Sequence, residues 1–325
     1  MSNYLILRGL IVFIFSLYTG IIVHEFGHFF CGLLSAYSFS SFRVGPLILF
    51  RENERFRLGL SRNIGSGQCL MVPPKDPANF SFVLYNLGGV LFNFLFALVL
   101  LIFSAGGFYY IPLLVNLLLA VINAIPMRSF ILTDGANLLE AMKSDEAARG
   151  LYTILYVNGE MMDGKRFRDF DEGCFTVDEG ADLSNYFVAN LFILEAARLE
   201  DMGRYDEFVE LYRNLDLAFL PNFYKSLVKA DLLYYYSFFK PDYEKAREIY
   251  EDGNLRQLLQ LKLPSFLRIS AAYEFFVVEN KVKAVKLMKK AKKSAAKIPN
   301  KGARMMEMEY IQTLITQARE AYYAA

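Results

Sequence analysis

The sequence contains two histidines, and they stand four residues apart in the run His24-Glu25-Phe26-Gly27-His28. On a helix, residues four apart lie about 40° apart around the axis and one turn along it, so both imidazoles can reach one metal ion. The carboxylate of Glu25 between them can take a proton from a metal-activated water and later hand it to a departing amine. This is the residue set of metal-assisted peptide hydrolysis, with His24 and His28 as zinc ligands and Glu25 as general acid/base. The competing reading is a pair of histidines hydrogen-bonded between helices, with Glu25 protonated or paired to one of them. Context favours the metal. The motif lies in an apolar run where a charged side chain costs roughly 2.5–3.5 kcal/mol on insertion scales, which makes an ionisable residue there a functional candidate.

Catalytic zinc takes three protein ligands and keeps one position open. With no third histidine in the chain, the remaining ligand has to be a carboxylate. Asp134 is a candidate, because Pro126 and Gly135 interrupt the helix around it and leave it free to turn toward the first run. Local sequence equally allows Thr133 or Asp134 to be the N-cap of a helix beginning at Ala136. Cys31, Cys69 and Cys174 are far apart and show no C-x-x-C spacing, so neither a disulfide framework nor a cysteine zinc site is indicated.

Three separated motifs, in order, resemble those of the site-2 protease family of intramembrane zinc metalloproteases. The H-E-x-x-H is His24 to His28, the G-P-x-x-N pattern corresponds to Gly89-Val90-Leu91-Phe92-Asn93, and the N-x-x-P and L-D-G patterns correspond to Asn123–Pro126 and Leu132-Thr133-Asp134-Gly135. The resemblance covers about residues 10 to 145. It implies zinc bound by His24, His28 and Asp134, Glu25 as acid/base, and Asn93 and Asn123 holding substrate. The chain departs from the pattern at Val90 in place of proline, at Thr133 inserted before Asp134, and in a longer gap after Pro126.

The elements that must position these residues are apolar. The chain is 54% hydrophobic with a mean hydropathy of +0.25, but the excess lies in the first half. From Gly9 to Phe42 the only His, Asp, Glu, Lys or Arg residues are those of the motif, and Phe80 to Met127 contains none. Membrane helices need roughly 20 apolar residues. Three spans are therefore expected at about 8–35, 80–104 and 108–127, with a break at Ser104–Gly107 anchored by Tyr109, Tyr110 and Pro112. The first segment reads as a retained anchor rather than a cleaved signal peptide.

A β loop is expected at 40–74. Phe42–Phe50 and Phe56–Arg62 would be strands about a charged turn at Arg51–Arg55, and Asn63–Gly67 a second turn. Gln68–Val72 would be a further strand stopped by Pro73 and Pro74. A strand carrying Leu70 and Met71 would pair with an unwound substrate by edge addition, as the family's membrane-dipping β loop implies; the alternative is a surface hairpin without that role. Arg43, Arg51, Arg55, Arg57, Arg62 and Lys75 outnumber the acids of this loop and place it in the cytoplasm, with the amino terminus outside.

From about 149 the composition becomes that of a helical, water-soluble domain, giving expected domains of 1–148 and 149–325. Phe208, Ala246 and Ala284 repeat at 38 residues, as do Tyr212, Tyr250 and Met288. The pattern resembles tetratricopeptide-type helix pairs, whose concave face binds an extended peptide or partner helix; a plain helical bundle is the alternative. Lys281 to Lys301 holds nine lysines and no acid, a run that fits anionic lipid headgroups or a solvated helix face. The net charge of +1 points to no nucleic-acid partner.

The expected fold class is thus mainly α: a polytopic membrane protein with a three-span metalloprotease core, a small membrane-associated β hairpin or sheet, and a cytoplasmic α-solenoid-like domain. The expected function is zinc endopeptidase cleavage of membrane-spanning or signal-peptide-like segments near the cytoplasmic face of a bacterial-type cell membrane. Such cleavage would serve peptide maturation or the release of a membrane-tethered regulator. A non-catalytic membrane adaptor acting through its helical repeats is the alternative.

Overall fold

The computed structural model describes residues 2–52, 55–60, 66–103, 107–128 and 132–324. The chain is mainly helical with one four-stranded antiparallel sheet, and it divides into two compact units, Met1–Gly159 and Glu160–Ala325. The division falls within helix α5 (Asp145–Met162), so the expected boundary at 148/149 lies inside a continuous helix.

In the first unit, α1 (Ser2–Leu34), α2 (Val83–Phe103) and α3 (Tyr110–Ala124) pack together. Asn3–Leu34 and Pro77–Phe103 are long and apolar enough to cross a membrane. The third helix is not: its 15 residues rise about 22 Å, short of a hydrocarbon core of about 30 Å. Its expected extent of 108–127 is cut at the carboxyl end, where Ile125 and Pro126 leave the helix before the chain folds back. The expected break at Ser104–Gly107 lies mostly outside the described residues.

The three helices are inverted relative to a water-soluble bundle. Their buried positions include Asn86, Gly88, Gly89, Asn93, Asn116 and Ala120, while large apolar side chains such as Phe15, Leu95, Ile102 and Leu118 face outward. Small residues bring the backbones close. A Cβ on Gly27 would lie 2.7 Å from the carbonyl carbon of Gly88 and 2.8 Å from Cβ of Phe92, so α1 and α2 meet backbone to backbone there.

The sheet has the order β3-β2-β1-β4, with β1 (Ser38–Val44), β2 (Leu47–Glu52), β3 (Arg55–Leu60) and β4 (Gly67–Val72). Phe42–Phe50 is therefore not one strand. Gly45, at φ +55°, and Pro46 turn the chain after Val44 and split the expected segment between β1 and β2. Of the expected charged turn at Arg51–Arg55, Arg51 and Glu52 continue β2 and Arg55 opens β3, while Asn53 and Glu54 lie outside the described residues. The Asn63–Gly67 turn also lies largely outside them, and Gly67 opens β4. The buried guanidinium of Arg43 donates to the carbonyls of Ser66 (3.0 Å) and Gly67 (3.2 Å), fixing where β4 starts.

In the second unit, α6 (Tyr186–Asp201), α8 (Asn222–Tyr234), α11 (Pro264–Ala272) and α13 (Lys301–Ala324) pack in succession. Each of the first three is followed by a helix that folds back on it: α7 (Tyr205–Arg213), α9 (Tyr243–Tyr250) and α12 (Lys281–Ala295). These partners begin 38 residues apart. A short helix, α10 (Gly253–Leu259), follows α9. The repeat is also present in the backbone, because α8 and α11 both run into a π-helical turn, Tyr235–Phe239 and Tyr273–Val277, at the same spacing. Phe208, Ala246 and Ala284 are all buried at equivalent points of the returning helices.

A buried charged cluster runs through the stack. Arg268 of α11 lies between the rings of Tyr234 (4.2 Å) and Tyr310 (4.8 Å), donates to Glu307 at 2.9 Å, and is ion-paired with Glu200 at 3.5 Å. Asp231 accepts from the Tyr212 hydroxyl at 2.7 Å. Burial pushes the carboxyl of Glu200 up to about 7 and that of Asp231 up to about 6. A carboxyl raised in the folded state binds its proton more tightly there than in the unfolded chain. Its effect on stability is therefore most favourable below the unfolded value and is lost as pH rises through the folded one. Glu200→Gln is accordingly expected to raise the unfolding temperature of the C-terminal unit at pH 8 and to leave it nearly unchanged at pH 5. Thermal melts of the full chain at both pH values test this, and equal shifts would refute it.

Candidate metal centre

His24 and His28 project from one face of α1 in the arrangement their spacing dictates, with ring centroids 4.9 Å apart. Asp134 reaches them from α4 (Asp134–Ala141), which starts directly after the fold-back that follows α3. Thr133 is the N-cap: its hydroxyl accepts from the Ala136 amide and donates to the Ile125 carbonyl at 2.7 Å. The same oxygen accepts from the Met127 amide at 3.1 Å. With the cap supplied by Thr133, the carboxylate of Asp134 is released for other partners. The bonds of Thr133 to Ile125 and Met127 stitch the start of α4 to the end of α3. Arg128 and Leu132 form a β-bridge, and Gly135 lets α4 approach closely, since a Cβ there would lie 2.8 Å from the carbonyl carbon of Ala124.

The three candidate ligand atoms form a small triangle. Nε2 of His24 and of His28 are 3.3 Å apart, and Oδ2 of Asp134 lies 3.1 Å from the first and 3.3 Å from the second. For metal bonds of about 2.0–2.1 Å, the edge of a coordination tetrahedron is about 3.3–3.4 Å, so the triangle has the dimensions of one face of such a site. The group can hold a metal ion. Two further observations fit that use. Nδ1 of His28 donates to the Tyr85 carbonyl at 2.8 Å, which turns the Nε2 lone pair toward the triangle. Oδ2 of Asp134 is buried with no hydrogen-bonded partner among the described residues, apart from its approach to the imidazoles.

Glu25 is buried beside the triangle and faces β4. The Cys69 amide donates to its carboxylate, and a Cβ on Gly67 would come within 2.6 Å of its Cγ. Gly67 thus supplies the room the carboxylate occupies. The adjoining edge of β4 is engaged by Tyr85, whose hydroxyl donates to the Cys69 carbonyl at 2.9 Å and accepts from the Met71 amide. Met71 is buried against Gly32, and half-buried Leu70 pairs with Ser41 of β1. An incoming strand at this edge would have to exchange places with the Tyr85 hydroxyl. On the other edge strand, β3, Phe56, Leu58 and Leu60 are exposed.

The asparagines have partners away from the triangle. Asn93 is wholly buried one turn beyond Gly89, where its amide donates to the Gly20 carbonyl (3.3 Å) and to Asn116 (3.3 Å), tying α1, α2 and α3 together. Asn123 donates to the Leu119 carbonyl of its own helix at 3.0 Å. Sequence reasoning missed Tyr85, Gly67 and Asn116. Asn116 carried a usable signal, an amide within an apolar run; the other two carried none, since their roles depend on which elements become neighbours. Comparison with family models, curated proteins and solved structures returns no match.

Gly89 sets the floor of the centre, because a Cβ there would lie 2.6 Å from Nε2 of both His24 and His28. Gly89→Ala is expected to weaken metal binding roughly 10–100-fold, the cost of disturbing a metal ligand's immediate support. Gly173→Ala, at a position with nothing within 4 Å, leaves it unchanged. Metal content of the two purified variants decides it, and full metal loading of Gly89→Ala would refute the geometry.

Proposed function

We propose that the first unit is an intramembrane zinc endopeptidase of the site-2 protease type. The observation that carries this reading is the convergence of His24, His28 and Asp134 on one metal-sized triangle, with Glu25 beside it on a helix long and apolar enough to span a bilayer. The outward-facing apolar side chains and the inward-facing glycines and asparagines support membrane insertion, since lipid removes the penalty for exposing the former. His24, His28 and Asp134 would hold the ion. Zinc bound there supplies Lewis acidity toward a water molecule and the scissile carbonyl. Glu25 takes the proton from the attacking water as the new C–O bond forms. It then delivers that proton to the amide nitrogen as the C–N bond breaks.

A peptide bond within a helix is shielded by its own hydrogen bonds, so the substrate is a membrane-spanning or signal-peptide-like segment that unwinds before cleavage. Its extended main chain would take the β4 edge by exchanging with the Tyr85 hydroxyl. The excess of basic residues in the sheet region supports a cytoplasmic face for the site. The helix pairs of the second unit are read as a tetratricopeptide-like scaffold for a peptide or partner helix, a reading supported by their 38-residue recurrence.

Two measurements test the reading. Glu25→Gln should keep its zinc and lose about 10²–10⁴-fold in turnover of the peptide that copurifies with it, whereas Asp134→Ala should lose the zinc. Undiminished turnover by Glu25→Gln, or full zinc occupancy in Asp134→Ala, would sink the proposal. Tyr85→Phe should lower KM several-fold at unchanged zinc content, because the Cys69 carbonyl and Met71 amide become free for substrate. An unchanged KM removes the β4 edge from the mechanism.

A further inference from the structure

The lysine run of the second unit has no part in the proposed cleavage. α12 carries seven lysines and no acid, and of these only Lys283 is ion-paired, to Glu274 at 2.6 Å, among the described residues. Between α12 and α13 lies a groove of about 330 Å³. Phe275, Met288 and Ile315 contribute its apolar lining, and Lys281, Lys289, Lys292 and Arg319 its cations. Among the described residues no carboxylate lines it. Lys281 sits 5.0 Å over the ring of Tyr322 and Lys292 donates to Gln312 at 3.2 Å, so these cations are held in place without being neutralised.

Charge and shape define the occupant: an anion joined to an apolar chain. Val282 and Val285 on α12, with Tyr322 and Tyr323 on α13, are exposed beside the lysines. Apolar and aromatic side chains interleaved with lysines are the composition of elements that sit at the headgroup level of a bilayer. We propose that the α12–α13 groove is a binding site for an anionic phospholipid, its headgroup phosphate among Lys281, Lys289, Lys292 and Arg319 and the start of an acyl chain on the apolar floor. The inference rests on the reading that the chain is inserted in a membrane, which keeps its second unit near a lipid surface.

The test uses the full chain in nanodiscs of phosphatidylcholine alone or with phosphatidylglycerol, and reads amide hydrogen exchange over 281–295 and 313–323. Exchange should slow several-fold in the anionic discs, and the protection should fade with salt. Each cation near an anionic surface is worth about fivefold in partitioning. Combined Lys289→Gln, Lys292→Gln and Arg319→Gln should therefore abolish the protection, whereas Lys286→Gln, Lys290→Gln and Lys297→Gln, on the same stretch but outside the groove, should retain most of it. Equal exchange in the two bilayers, or equal loss in the two triple variants, overturns the proposal. So does protection in neutral discs by inorganic phosphate or by an acidic peptide. Failure of membrane insertion shows separately, as loss of the chain from both kinds of disc, and overturns both readings. Failure of the protease reading shows only in zinc content and turnover, which the groove variants leave unchanged.

Discussion

The contact between Gly27 and Gly88 sets the distances on which the first unit depends. With a side chain at either position α1 and α2 would stand further apart, and Gly89 could no longer lie against both imidazoles. The Tyr85 carbonyl would then withdraw from His28, and the Tyr85 hydroxyl from β4. In a bilayer no hydrophobic force pulls helices together, so such close approach has to come from packing and interhelical hydrogen bonds. The Asn93 amide adds one of these on the same side of α2, bonding Gly20 and Asn116. Packing and the candidate metal centre therefore share one interface, where His28 bonds the Tyr85 carbonyl beside the Gly27–Gly88 contact.

Much of this was legible in the sequence because it is local. The spacing of His24 and His28 fixes their relation on a helix, and the apolar runs locate α1 and α2. The repeat in the second half is as visible in the positions of Phe208, Ala246 and Ala284 as in the helices that carry them. What escaped depends on contacts between distant segments. Phe42–Phe50 reads as one apolar strand until Gly45 adopts a positive φ. The bonds of the Asn93 amide to Gly20 and Asn116 likewise depend on helices distant in sequence becoming neighbours. Thr133 and Asp134 compete for one cap in the sequence, and the structure gives the cap to the first and thereby frees the second.

The second unit shows the same limit with charge. Glu200, Asp231, Arg268 and Glu307 lie far apart in the sequence, yet all are gathered inside the stack with Tyr234 and Tyr310. Burying such groups is unfavourable unless they satisfy one another, and the apolar repeat positions supply the packing that makes it tolerable. The lysines of α12 are the complement: of them only Lys283 is ion-paired among the described residues.

Tyr85 has a consequence beyond its contacts. One residue presents its backbone to the imidazole of His28 and its hydroxyl to the edge of β4. A displacement that favours one contact at the expense of the other couples the two places thermodynamically, and such coupling is reciprocal. Under the proposed function, an occupant of the strand edge that shifts Tyr85 would change the affinity of the histidine pair for an ion, and the ion would change the affinity for the occupant by the same factor. In that linkage a single tyrosine would serve as the transmission between a peptide and a metal bound as proposed, with no movement of a domain required.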